Sequence, residues 1–175
     1  MKKTLINWAK IGFVFTGIVG VLLHFLYEWT NESVVVAPFA AVNESTWEHM
    51  KLLFIPLFIF ALIQWKLRGR HYEDFWQVKL LGTLAGLITI PLIFYTYTGA
   101  LGKSADWFNI AIFFIAAAVT FCLEYRLFRQ EPSLHIPGAA AFALMCAIFL
   151  AFIVLTFIQP KIPLFIDPST GSYGI

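Results

Sequence analysis

Histidine and carboxylate side chains set close to the ends of two apolar segments carry the chemistry this chain could do. His24 and Glu28 stand four residues apart, so any helix that holds them shows both on one face. Asn43, Glu44, Glu48 and His49 follow across one short connection. Imidazole nitrogens with a carboxylate form the donor set of zinc and other divalent transition metals, with a position left open for water or substrate. Without a metal, a carboxylate–histidine pair binds a cation or relays protons. The expected ligand-binding set is therefore His24, Glu28, Asn43, Glu44, Glu48 and His49, and the expected metal subset is His24, Glu48 and His49. A hydrogen-bond network without any ligand is the competing reading.

Part of this cluster has a plainer use. Ser45-Thr46-Trp47-Glu48 matches a capping box, in which Ser45 accepts from the Glu48 backbone and the Glu48 side chain returns the bond. Asn43 and Glu44 suit the positive end of the same helix. Neither use accounts for His49, which points about 100° around the helix from Glu48. Nor do they account for His24, which lies roughly 8 Å inside the end of its segment at 1.5 Å per residue. An ionisable group at that depth faces a protein interior or a wet cavity.

The elements that must position these groups are membrane spans. The chain has 175 residues, of which 60% are hydrophobic and only 13% charged, with a mean hydropathy of +0.80. Soluble domains average about 25% charged residues, and disorder requires low hydrophobicity. The net charge of +2 gives no basis for nucleic-acid binding. Five stretches, about 8–29, 47–65, 76–98, 106–128 and 137–158, reach the roughly 20 apolar residues that cross a bilayer as helices. Trp8, Trp29, Trp47, Trp65, Trp76 and Trp107 all fall at their ends, where indoles favour the headgroup level. The expected fold is all-α: one membrane domain over 1–175, a five-helix bundle.

Basic residues set the orientation. With the N-terminus inside, nine basic residues, among them Lys79, Arg126 and Arg129, face the cytoplasm, and Lys51, Lys103 and Lys161 lie outside. Five spans then put the tail, 159–175, outside; its Asp-Pro and Ser-Thr-Gly turn chemistry and apolar 164–166 predict a segment folded over the outer mouth of the bundle. Gly82 and Gly86 make a small-xxx-small step for helix packing, and Ala116–Ala118 another small face. Pro56 and Pro91 predict a kink or bulge in their spans. Glu124 is expected to snorkel or to pair with Arg126 and Arg129, Asp106 to cap the fourth helix, and Cys122 and Cys146 to be buried structural thiols.

The stretch Val42-Asn43-Glu44-Ser45-Thr46-Trp47-Glu48-His49-Met50-Lys51 and the tail Pro163-Leu164-Phe165…Asp167-Pro168…Thr170-Gly171…Tyr173-Gly174-Ile175 resemble a family of small uncharacterised bacterial multi-pass membrane proteins. The resemblance implies a bacterial inner (cell) membrane location and assigns no activity. Asn43, Glu44, Trp47 and His49 also bear a fainter likeness to the alkaline ceramidases and adiponectin-type receptors, which implies a histidine zinc site. The paired C-terminal histidines and two further spans of that superfamily have no counterpart here. Three functions stay open: a small-molecule or ion binding or transport component with a pocket in the outer leaflet, a metal-dependent intramembrane hydrolase acting on lipid, and a structural or assembly protein. At this size transport would call for a second copy or a partner subunit.

Overall fold

The computed structural model describes residues 2–130 and 135–174. Five helices follow in chain order: α1 (Lys2–Trp29), α2 (Thr46–Leu67), α3 (Phe75–Leu101), α4 (Asp106–Leu127) and α5 (Gly138–Phe157). Each holds a segment long and apolar enough to cross a membrane. Strands are absent among the described residues, apart from one isolated bridge between Ile166 and Tyr173. The connection expected at 130–136 lies partly outside the described residues, as does Ile175.

α2 is the least hydropathic of the five spans and the most buried, with 61% of its most apolar window inside, against 22% for α1 and for α5. It is the central rod, packed by α1, α3 and α5, while α3 and α4 make the most extensive pairing. That pairing depends on Gly86: a Cβ there would collide with the Thr120 hydroxyl and stand 3.1 Å from the Ala116 carbonyl oxygen. Small residues let membrane helices approach this closely, and Ala116 and Ala117 are fully buried. Both α2 and α3 stay helical through Pro56 and Pro91.

Two segments outside the five long helices close the end of the bundle where α1 finishes and α2 begins, the site end. The connection after α1 turns back on it: Ala37 and Ala40 are buried against Tyr27, and the Ala41 amide donates to the Leu23 carbonyl. The tail also folds back. Phe165 is buried, with its ring 4.8 Å from Trp47, the Asn43 amide donates to the Gly174 carbonyl, and the Gly174 amide donates to Gln159 Oε1.

Candidate functional site

Ser45 sets the start of α2, its side chain accepting from the Glu48 amide at 3.3 Å. Ser45 itself is extended and Glu44 lies in the bend before it, so the Glu44 side chain crosses the helix end toward His24 and His49. His49 lies one turn along α2. Its Nδ1 sits 2.9 Å from the Ser45 carbonyl oxygen; a carbonyl only accepts, so Nδ1 carries the proton and the Nε2 lone pair is left free. Such a backbone partner is what orients a metal-ligating histidine.

His24 approaches from α1. Its Nε2 is 3.6 Å from Glu44 Oε1, and His49 Nε2 is 3.5 Å from Glu44 Oε2. The two rings meet edge to face at 5.8 Å. One ligand atom from each of the three residues lies within 4.8 Å of the other two. Ligands held tetrahedrally at the usual 2.0–2.1 Å zinc bond lengths stand about 3.4 Å apart; the two histidine–glutamate spacings are near that value, each to a different oxygen of Glu44, so the three groups need a small inward shift to share one ion. Glu44 is half-exposed, which leaves its carboxylate free to turn into the shared position. The neighbouring His24 imidazole is the chief reason the Glu44 carboxyl is held below its ordinary pKa, against the opposing effect of burial.

Beside the three side chains lies a cavity of about 720 Å³, walled by α1, α2, α4 and the tail. Gly20, Val21 and Phe25 line it from α1, Leu52 from α2, and Ile110, Phe113 and Phe114 from α4. Its polar rim adds Ser104, Asn109 and Ser169. Asn109 is fixed in place: its Nδ2 donates to Ser104 Oγ and its Oδ1 accepts from the Tyr97 hydroxyl.

The sequence profile of a family described as of unknown function, DUF6512, matches residues 1–175. The chain belongs to DUF6512. No curated protein and no solved structure matches it.

The carboxylate that meets the two histidines of this DUF6512 chain is Glu44, where the residue types alone favoured Glu48. Glu48 is fully buried elsewhere on α2. Its Oε2 lies 2.6 Å from Lys51 Nζ and accepts from the Val42 amide at 3.1 Å. The capping box is accordingly half made, because the Ser45 amide donates to Asn43 Oδ1 and not to Glu48. Glu28, one turn past His24, is exposed and outside the cluster. Asn43 ties the tail down instead of facing the cavity. At the other helix ends, Ala105 occupies the cap position expected for Asp106, and Glu124 pairs with Lys79 at 2.5 Å, not with Arg126 or Arg129; Cys122, expected to be buried, is exposed, and Cys146 is half-buried.

Three polar anchors are not legible in the sequence. Lys51 and Lys79 look like interfacial charges, yet both are buried inside helices and held by an acid. Asp167 is the third polar anchor. Burial opposes its charge, but hydrogen bonds from the Ser169 hydroxyl and amide and from the Glu44 and Thr170 amides outweigh that and hold its carboxyl below the ordinary value. Asp167 thus joins the tail to the residue that bridges the histidines.

A depressed carboxyl stabilises the folded form at any pH above its free value, about 3.9, and that contribution is lost as pH falls through the folded value. The tail is therefore expected to stay docked from pH 5 to 8 and to loosen only in stronger acid. Asp167→Asn sets an amide N–H against the Glu44 N–H and is expected to free the tail at neutral pH, costing about 1–3 kcal/mol. Amide hydrogen exchange over residues 167–173 checks both statements.

Proposed function

We propose that this is an integral multi-pass protein of a bacterial cell membrane that binds a divalent transition-metal ion, zinc first, as an ion or small-molecule binding or transport component. One observation carries the reading: His24, Glu44 and His49 bring their ligand atoms within 4.8 Å of one another at the wall of a large cavity. Two imidazoles and one carboxylate would leave a fourth position open, and all three residues line the cavity.

Charge supports placing the site in the outer leaflet. With Lys51 and Lys79 neutralised inside the bundle, eight of the remaining basic residues lie toward the N-terminal side and two, Lys103 and Lys161, toward the site end. That imbalance favours the N-terminus inside and the tail outside.

Zinc titration of the purified, metal-stripped protein tests the reading. One equivalent is expected to bind, and His24→Ala, Glu44→Gln and His49→Ala are each expected to weaken binding by about 100-fold or more, beyond the roughly 10–100-fold that outer-shell changes cost. Glu28→Gln is expected to leave binding unchanged. Substoichiometric zinc, or zinc indifferent to these three substitutions, would overturn the proposal. The cavity beside the open position supports a second reading, in which a metal-bound water hydrolyses a lipid. Zinc-dependent turnover of an ester or amide lipid, lost in His49→Ala, would replace binding with catalysis.

A further inference from the structure

The cavity beside the histidines is polar at one level and apolar at another. His24, Glu44, His49, Ser104, Asn109 and Ser169 gather at the site end. One helical turn deeper, roughly 6 Å at 1.5 Å per residue, its walls are apolar: Gly20 and Val21 below His24, Leu52 below His49, Phe113 and Phe114 below Asn109. Gly20 makes the floor possible, since a Cβ there would run into the Phe113 ring. This gradient runs the same way as that of the bilayer around it, headgroups at the helix ends and hydrocarbon below. A fully water-soluble ligand would satisfy the rim and leave the floor unfilled.

The cavity also opens sideways. Val21 and Phe25 on α1 are each 43% exposed and Ile110 on α4 is 60% exposed, although all three line the cavity. Their exposed faces point where acyl chains would lie. A volume of about 720 Å³ falls in the range of roughly 300–1,000 Å³ that encloses one ligand of moderate size, which suits one chain better than two.

We infer that the occupant is a single-chain amphiphile with an oxyanion head, a carboxylate or a phosphate, drawn from the bilayer through the gap between α1 and α4. The inference rests on the reading of the site as a cation holder. Without an ion the Glu44 carboxylate would repel an oxyanion, whereas a divalent ion with one carboxylate and two neutral imidazoles leaves a net positive charge facing the head.

The test uses the full chain in lipid nanodiscs, where no detergent competes, loaded with zinc. Palmitate carrying a diazirine on its chain is photocrosslinked in one arm and a similarly labelled lysophosphatidate in the other, and the adducts are mapped by peptide mass spectrometry. Adducts are expected to concentrate on residues 20–25 and 109–114, to saturate against unlabelled competitor, and to fall at least five-fold on zinc chelation. Ile110→Trp and Val21→Trp add bulk at the exposed mouth without disturbing a packed core. Each is expected to reduce labelling at least five-fold while zinc still binds. The arm that labels identifies the head. Neither arm labelling, adducts spread without saturation along the lipid faces of α1 and α5, or indifference to both tryptophans with zinc bound would overturn the amphiphile and leave the metal reading standing. Failure of zinc to bind the same nanodiscs would overturn both.

Discussion

Lys51→Met is expected to destabilise the protein by about 3–5 kcal/mol, the cost typical of orphaning one member of a buried ion pair. Lys51 is fully buried and its ammonium serves three acceptors: Glu48 Oε2 at 2.6 Å, the Ala37 carbonyl at 2.9 Å and Thr156 Oγ1 at 2.8 Å. It thereby fastens the connection after α1 and the end of α5 to α2. Met fills the space of the aliphatic stem and removes all three bonds, leaving Glu48 with the Val42 amide as its remaining donor among the described residues. Removing both charges in Glu48→Met with Lys51→Met should recover less than half of the loss. The Ala37 carbonyl and the Val42 amide still lose their partners in the double variant, and each unmade bond at a buried group costs about 1–3 kcal/mol. Unfolding in graded denaturing detergent measures both, and full recovery in the double variant would show that Lys51 acts only as a counter-ion. Because Ala37 and Asn43 lie on the same connection, Lys51→Met should also weaken zinc binding at Glu44 through loosened geometry.

The difference between what could and could not be read from the chain follows how far apart the partners are in sequence. The five spans were legible because apolar length is a local property, and His24 and His49 were conspicuous because an imidazole near an apolar run needs a reason to be there. The bridging acid is Glu44, one turn before the expected Glu48. Glu48 stands beside His49 on the helix, but Glu44 lies in the bend before the Ser45 cap, where its side chain crosses the helix end, while helical geometry turns Glu48 toward Val42 and Lys51. A capping residue is visible in sequence; the direction of the chain before it is not. Lys51 and Lys79 were illegible for a different reason. A lysine near a helix end ordinarily snorkels, and burial becomes tenable only with partners that lie far along the chain, Thr156 for the one and Glu124 for the other. The tail shows the reverse case, since its turn residues and apolar triplet announced a docked segment, and Asp167 and Phe165 are what dock it.

Lys79→Met should be as costly as Lys51→Met but, unlike it, almost fully reversible. Lys79 on α3 and Glu124 on α4 are both buried and 2.5 Å apart, and the ammonium also stands 5.8 Å from the ring centres of Phe60, Phe75 and Phe121. Among the described residues, the Lys79 ammonium has Glu124 as its one hydrogen-bond acceptor. The pair is thus self-contained: the single substitution strands a carboxylate in the α3–α4 seam at about 3–5 kcal/mol, while Lys79→Met with Glu124→Met removes both charges and strands nothing. Replacing such a pair by apolar groups of similar volume is often neutral or stabilising, so the double variant should return to within about 1 kcal/mol of the parent. Glu124→Gln should fall between, because the three rings still face the cation, a contact worth about 2 kcal/mol when desolvated. A double-mutant cycle read by unfolding in denaturing detergent should therefore give a large coupling for Lys79–Glu124 and a residual loss in the double variant only for Lys51–Glu48. If the Lys79–Glu124 double variant stayed as unstable as Lys79→Met, the two charges would have a further use in the seam, with proton or ion passage between α3 and α4 as the first candidate to examine.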